Sequence, residues 1–251
     1  MSIYGLLFDQ TECIGCGACE QACQAEHDQE PHEVTKLDDQ SYNWVEDLGD
    51  DVFTRHFCMN CEDPTCVSVC PVAAFTKTEL GPVVWDASKC MGCRYCMLAC
   101  PFEIPKFEWY SRNPRIEKCD MCIHRVSERL PTACASICPT GATTFGLRED
   151  LLREAHRRLN DNPERYAGRV YGEHEAGGTS VLMLLSKDPA ASGLPANVPH
   201  ESLPHLTWSV LERLPQIIPV WGVFLGGMYW LTDRKNTVAD IEGYQREHDD
   251  D

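Results

Sequence analysis

Residues 90–101 read Cys90-Met91-Gly92-Cys93-Arg94-Tyr95-Cys96-Met97-Leu98-Ala99-Cys100-Pro101. Three cysteines recur at three-residue intervals, a fourth follows four residues later, and a proline closes the string. The same C-x2-C-x2-C-x3-C spacing joins Cys13, Cys16, Cys19 and Cys23, with Gln24 where the proline would stand. Cys58, Cys61, Cys66 and Cys70 read C-x2-C-x4-C-x3-C before Pro71. Cys119, Cys122, Cys134 and Cys138 read C-x2-C-x11-C-x3-C before Pro139. These four groups account for all sixteen cysteines, so no thiol is left for catalysis or an intermolecular bridge.

The spacing carries a specific chemistry. A cubane 4Fe–4S cluster takes four thiolates, and three closely spaced cysteines on a loop wrap one cluster while the fourth reaches a neighbouring one. The proline removes a backbone donor and turns the chain away. Zinc sites also use C-x2-C pairs, but they rarely use three cysteines at this spacing, and here four such groups follow one another. Dense triplets in a chain large enough to build its own core also argue against a disulfide scaffold. The expectation is four 4Fe–4S clusters and no 3Fe–4S centre, with all sixteen cysteines as ligands to iron and no catalytic residue. The fold class expected is α+β: tandem ferredoxin-like units, an internal repeat.

Composition narrows the partners. The 251 residues include 39 acids and 22 bases, a net charge of −17, which repels phosphate backbones and argues against nucleic acid. With 43% hydrophobic residues the chain is not disordered. Residues 1–55 carry net −11, residues 56–148 net +1 and residues 149–251 net −7. Each cluster with its thiolates adds roughly −2, so the bases of the middle segment have a local anion to face. Lys89, Arg94, Lys118 and Arg125 lie closest in sequence and are candidates to tune cluster potential. Ile3–Phe8, Val83–Trp85 and Thr143–Phe145 fit short strands beside clusters. Gly15 and Gly17 fit turns within the first group, and the nine histidines, scattered singly, read as surface or core residues rather than ligands. Haem, phosphate-loop and Rossmann motifs are absent.

Arg148–Leu159 patterns as a charged amphipathic helix. Tyr171–Leu185 reads as a glycine turn running into an apolar strand, and residues 188–204, rich in Pro, Ala and Ser, as an extended linker. Pro215–Leu231 has no charge, and as a helix its 17 residues span about 26 Å, just short of a hydrocarbon core of roughly 30 Å. Trp208, Trp221, Tyr229 and Trp230 suit the membrane interfaces, and Gly222 and Gly226 form a G-x-x-x-G face. Arg234 and Lys235 would place the C-terminal side in the cytoplasm, although Arg213 on the other side makes the asymmetry small. A buried core helix, or one docked on a partner, is the alternative.

Three strings carry a family resemblance: Cys58-Met59-Asn60-Cys61-Glu62-Asp63-Pro64-Thr65-Cys66, the string from Cys90 to Pro101, and Tyr171-Gly-Glu-His-Glu-Ala-Gly-Gly-Thr-Ser-Val-Leu182 ahead of one hydrophobic segment. With the four cysteine groups they resemble the electron-transferring subunit of Hyb-type nickel–iron hydrogenases, over nearly the whole chain. The beta subunit of membrane-bound formate dehydrogenases is similar. The resemblance implies that the first group pairs with the fourth and the second with the third. Cys13, Cys16, Cys19 and Cys138 would then hold one cluster, and Cys119, Cys122, Cys134 and Cys23 its mate. Cys58, Cys61, Cys66 and Cys100 would hold a third, and Cys90, Cys93, Cys96 and Cys70 the fourth.

On this reading residues 1–148 are the four-cluster domain, 149–207 an extension and linker, 208–235 a single membrane-anchoring transmembrane helix and 236–251 a polar tail. The implied partners are a catalytic nickel–iron (or molybdopterin) subunit with its small subunit, an integral membrane quinone-reactive or cytochrome b subunit, and the membrane. Members of this family often begin with a twin-arginine export signal, which Met1-Ser-Ile-Tyr-Gly lacks. Export with a partner, a complex facing the cytoplasm, or a signal missing from this sequence are the options; the C-terminal charges favour a cluster domain outside the cytoplasm. A soluble polyferredoxin and a structural zinc protein are the readings of other classes. An anaerobically prepared chain is expected to carry about 16 irons and to be brown; substantially less iron removes the four-cluster expectation.

Overall fold

The computed structural model describes residues 3–112 and 114–249, with side chains described to residue 242. It divides into two compact units, residues 1–204 and 205–251.

In chain order the first unit contains β1 (Tyr4–Asp9), α1 (Ala18–Glu26), β2 (Asn43–Asp47), β3 (Phe53–Phe57), α2 (Thr65–Ser68), β4 (Phe75–Lys77) and β5 (Val83–Trp85). Next come α3 (Tyr95–Ala99), β6 (Lys106–Phe107), β7 (Ile116–Glu117), α4 (Ile123–Ser127), α5 (Ala133–Ile137), β8 (Thr143–Leu147), α6 (Arg148–Asp161), β9 (Val170–Tyr171) and β10 (Val181–Leu184). Two further helices, α7 (Leu203–Leu211) and α8 (Leu214–Asp249), follow. The fold is thus mixed α and β, with three of the expected elements present as strands: β1, β5 and β8.

One four-stranded sheet, in the order β8-β1-β10-β9, organises the first unit. β1 lies antiparallel to β8, with Leu6 opposite Phe145, and parallel to β10, with Leu6 opposite Val181. A strand paired on both edges and covered on both faces should be apolar throughout, as Leu6-Leu7-Phe8 is. Leu7, Leu182 and Leu184 face α6, which buries Leu151, Ala155 and Leu159 one helical turn apart. Each of those leucines contributes about 1.5–3 kcal/mol by leaving water. Leu6, Phe8, Val181 and Met183 face the other way, into a core shared with Cys119 and Cys134. The sheet therefore separates a helix layer from a thiol layer. Three two-stranded pairs, β2-β3, β4-β5 and β6-β7, complete the unit, the last two around a separate core containing Phe75, Val83, Cys96, Phe107 and Ile116.

Residues 149–204 belong to the same compact unit as the cysteine groups. β10 is an inner strand of the main sheet, because its four residues are fully apolar and buried on both faces. Residues 188–204, expected as an extended linker, are packed: Pro189, Ser192 and Val198 are buried. Pro199 O and His200 O accept hydrogen bonds from Ala176 N and Gly177 N, and Tyr171 Oη donates to Pro195 O at 2.9 Å. Turn-forming composition marks chain reversals, and it does not reveal that these carbonyls satisfy buried donors.

The 171–182 string clamps the second cysteine group. Ser180 N and Val181 N donate to Asn60 O and Met59 O, and Glu62 N donates to Gly178 O at 2.9 Å. Arg148 Nε reaches both Thr179 O at 2.7 Å and Glu62 Oε1 at 2.9 Å. At the pivot Gly172 has φ +95°, and a Cβ there would stand 2.3 Å from Val181 O and 2.6 Å from Thr179 Oγ1.

In the second unit the side chains described are all exposed. Residues 203–242 form one helical stretch long and apolar enough to cross a membrane. The expected single helix is interrupted at Glu212–Arg213, so Trp208 stands on α7 while Trp221, Tyr229 and Trp230 stand on α8. Pro215 suits the first turn of α8, where an N–H has no partner to lose. Pro219 lies inside α8, where its ring removes one backbone bond.

Gly172→Ala is expected to destabilise the iron-loaded chain by about 3 kcal/mol or more, combining backbone strain with a backbone clash. Gly168→Ala, at φ +81° with nothing within 4 Å, is the control and should cost about 1–2 kcal/mol. Thermal midpoints of the two variants check this.

Candidate metal centres

Short helices place the thiols. In each group the last two cysteines are four residues apart and are joined by a helical turn: Cys19 and Cys23 on α1, Cys66 and Cys70 across α2, Cys96 and Cys100 across α3, Cys134 and Cys138 across α5. Positions i and i+4 share a helix face, so the two thiols point the same way but lie about 6 Å apart along the axis. The last cysteine of each group lies near cysteines of another group: Cys23 acts on Cys119, Cys70 on Cys96, Cys100 on Cys61 and Cys138 on Cys13. The preceding loops curl by left-handed residues, at Gly15 (φ +65°), Gly17 (φ +67°) and Gly92 (φ +71°). Arg94 and Met121 adopt the same region at φ 59° and 57°.

None of the sixteen cysteines is in a disulfide, and the fold gathers them into four sets. The charges of Cys16, Cys19 and Cys138 act on Cys13. Those of Cys58, Cys66 and Cys100 act on Cys61. Cys23 acts on both Cys119 and Cys122, and Cys134 on Cys122. Cys70, Cys90 and Cys93 act on Cys96. The first set (Cys13, Cys16, Cys19, Cys138), second (Cys23, Cys119, Cys122, Cys134), third (Cys58, Cys61, Cys66, Cys100) and fourth (Cys70, Cys90, Cys93, Cys96) each draw on two cysteine groups. Contacts between sets are sequential: Cys134 acts on Cys19, Cys58 on Cys119, and Cys96 on Cys66. Each set is thus electrostatically linked to the next.

The donor chemistry fits iron–sulfur clusters. Burial and neighbouring thiolates push Cys66, Cys96 and Cys122 up to about 12, so four thiols of one set do not ionise together without a strongly cationic group between them. A cluster core meets that need. Cys138 is the exception: burial raises it, but the backbone N–H groups of Thr143, Thr140 and Ala142 and the Thr140 hydroxyl outweigh burial and lower it. Cys13, Cys16, Cys19 and Cys138 line a small cavity of about 20 Å³ together with Arg55. Protein donors already aim at sulfur, with Ala74 N 3.2 Å from Cys70 Sγ and Met121 N 3.3 Å from Cys119 Sγ. When bound, such clusters supply reversible one-electron storage; the chain supplies position, hydrogen bonds and charge.

The four candidate tuning bases separate. Lys118 is buried, donates from Nζ to Val83 O and to Cys119 O at 3.0 Å, and faces the thiolates of Cys58, Cys66 and Cys119. Lys89 instead pairs with Asp86 at 3.2 Å on the surface. The Arg94 guanidinium lies 4.8 Å from the Trp109 ring centroid, and Arg125 pairs with Glu26 at 3.1 Å. Neighbourhood in sequence did not place them at sulfur, because their side chains leave the loops on the solvent side.

Three residues at the sets escaped the sequence reading. Arg55, on β3, reaches Cys134, Cys19 and Cys119 through the β2-β3 hairpin, a contact no local spacing announces. Lys77 donates to Cys61 O at 2.7 Å, and burial lowers it to about 8. His27 lies 3.8 Å from Cys23 Sγ and 3.0 Å from Asp120 Oδ1; burial lowers its pKa, but Asp120 and Cys23 outweigh this and raise it to about 11. Its position four residues after Cys23 was the available signal. His27, Asp120 and Cys122 cluster closely enough to hold an ion, but Cys122 belongs to the second set.

Crossed loops, left-handed turns and four thiol sets define an iron–sulfur protein of the ferredoxin type. A 4Fe-4S dicluster domain matches residues 50–148, and a second 4Fe-4S dicluster domain matches residues 12–75. A protein of Nitratidesulfovibrio vulgaris is 40% identical over 257 residues, covering 95% of this chain and 69% of that relative. Hydrogenase-2 operon protein HybA of Escherichia coli O157:H7 is 34% identical over 226 residues, 72% of this chain and 69% of HybA. A formate dehydrogenase iron-sulfur subunit of Haemophilus influenzae is 31% identical over 274 residues, 97% of this chain and 85% of that subunit. The chain belongs to the family of ferredoxin-like iron–sulfur electron-transfer subunits of oxidoreductases, and it carries multiple 4Fe–4S clusters.

Cys100→Ala is expected to remove one cluster, about 4 irons, from the set containing Cys58 rather than from its own loop's set. Adding Cys58→Ala should then cost no further iron, whereas adding Cys90→Ala should double the loss. Iron analysis of the three variants reads the pairing directly.

Proposed function

We propose that the chain holds four 4Fe–4S clusters, one in each thiol set, and relays electrons between a catalytic subunit of the nickel–iron hydrogenase type and a quinone-reactive or cytochrome b subunit of the membrane. The linkage of the sets carries this reading: each neighbours the next through Cys19 and Cys134, Cys119 and Cys58, and Cys66 and Cys96. Both ends of the series carry exposed apolar side chains suited to partner docking. Ile14 lies in the first set's loop and Ile137 beside Cys138, while Met91, Tyr95 and Leu98 surround the fourth set, Leu98 at 86% exposure. The likeness to HybA, together with the 171–182 string, supports a hydrogenase-type partner.

The α8 helix would anchor the chain. Gly222 and Gly226 have open space where a Cβ would be, which suits close packing against another membrane helix. Arg234 sits 5.6 Å from the Trp230 ring centroid, an arrangement suited to an interface, and with Lys235 it favours a cytoplasmic C-terminus and an outward-facing cluster domain. The likeness of the Haemophilus formate dehydrogenase subunit over 97% of this chain supports a second reading, a molybdopterin partner.

Detergent solubilisation of the native complex, followed by identification of its largest co-purifying subunit, decides between them. A nickel–iron subunit is expected; a molybdopterin subunit overturns the hydrogenase assignment. Release of the chain into detergent-free buffer overturns the anchor, and Gly222→Leu is expected to weaken its retention in the solubilised complex at least several-fold.

A further inference from the structure

We propose that Arg55 and Lys118 are fixed cations that hold up the reduction potential of the second cluster, taking the place of the water that its burial excludes. The inference rests on the four-cluster reading above.

The second set differs from the others in burial. Cys23, Cys119, Cys122 and Cys134 are all buried, whereas the first and fourth sets reach solvent through the exposed Cys16 and Cys93. Reduction adds one electron to a cluster already carrying roughly −2 with its thiolates. Water screens that added charge at the ends of the series. Where water is excluded, the reduced form is penalised and the potential falls, unless nearby charge or hydrogen bonds compensate. An uncompensated second cluster would therefore stand as an uphill step in the middle of the relay.

The compensation is built in. Among the described residues, Arg55 and Lys118 are the buried arginine and lysine side chains, and both act on Cys119 of this set. Arg55 is 2% exposed and stands between the first and second sets, near Cys19, Cys134 and Cys119. Its Nε donates to Asn43 Oδ1 at 2.6 Å, its Nη1 to Thr143 Oγ1 at 3.1 Å, and its guanidinium lies 4.0 Å from the Phe57 ring centroid. The neutral partners orient the cation without cancelling it. Glu20, the carboxylate that also feels Arg55, accepts from Val45 N at 2.7 Å. Lys118 stands between the second and third sets, near Cys119, Cys58 and Cys66, and Asp120 beside it is engaged by His27 at 3.0 Å. Burying a cation is costly unless an anion faces it, and the anion here is the cluster. The fourth set has no buried cation among the described residues.

The test is a redox titration followed by electron paramagnetic resonance on the full chain, iron-loaded and anaerobic. Arg55→Gln and Lys118→Gln are each expected to disfavour reduction of the second cluster tenfold or more, which is 59 mV for one electron. Arg55→Lys and Lys118→Arg should restore most of that shift, and the fourth set's potential should stay put throughout. Unchanged potentials in glutamine variants of full iron content overturn the inference, as does an equal shift in the charge-retaining variants. Should the glutamine variants lose iron, Asn43→Asp sets a carboxylate on Arg55 without removing it. It should shift the second cluster in the same direction, and no shift overturns the inference. A wild-type chain with well under about 16 irons removes the four-cluster reading itself, an outcome distinct from either.

Discussion

Four thiols must converge on one small volume, and a chain cannot bend tightly enough to bring all four from a single loop while also passing its neighbour. The i, i+4 relation across each short helix resolves this. The third cysteine closes its own set and the fourth, on the same helix face, opens the next. Each helix is then a strut between two sets, and the sets have to stand side by side. The linked sets, the left-handed loops and the minimal two-stranded pairs are what remains once that relation is satisfied four times.

The constraint also decides where conventional packing occurs. The thiols share their cores with apolar side chains, and the three two-stranded pairs are too small to be stable alone. Stability comes from the one four-stranded sheet, whose inner strands β1 and β10 come from opposite ends of the first unit. Asp9, 1% exposed at the end of β1, receives hydrogen bonds from Arg158 at 2.9 Å and Tyr166 Oη at 3.0 Å. That ties the first cysteine loop to α6 and to the chain beyond it. Burying this carboxylate is tolerable because both partners are in place.

What was legible in the sequence was local. Cysteine spacing marked every loop, short apolar or β-branched runs beside the cysteine groups marked β1, β5 and β8, and the charged amphipathic pattern of Arg148–Leu159 marked α6. What was hidden depended on distant contacts. Arg55 has no sequence neighbour that betrays its place between two sets, since the β2-β3 hairpin carries it there. Lys89, Arg94 and Arg125 were closer to cysteines in sequence, but pair with Asp86, stack on Trp109 and pair with Glu26. Residues 188–204 look like a linker by composition, yet their carbonyls complete the hydrogen bonding of the glycine turn. The crossed pairing of the cysteine groups came from family resemblance rather than from spacing.

The crossing imposes an order on how the chain matures. A ribosome has made every cysteine of the third and fourth sets once it passes residue 100, but the first set lacks a thiol until residue 138. The second likewise has only Cys23 until Cys119 is made. Cysteines near the N-terminus therefore wait, reduced and unpaired, through most of synthesis. The strand that locks the first loop in place, β10, arrives later still, at residues 181–184. On the proposed pairing, iron delivery that ran ahead of translation would meet the first three thiols without their fourth, so loading of this end follows synthesis of residue 138.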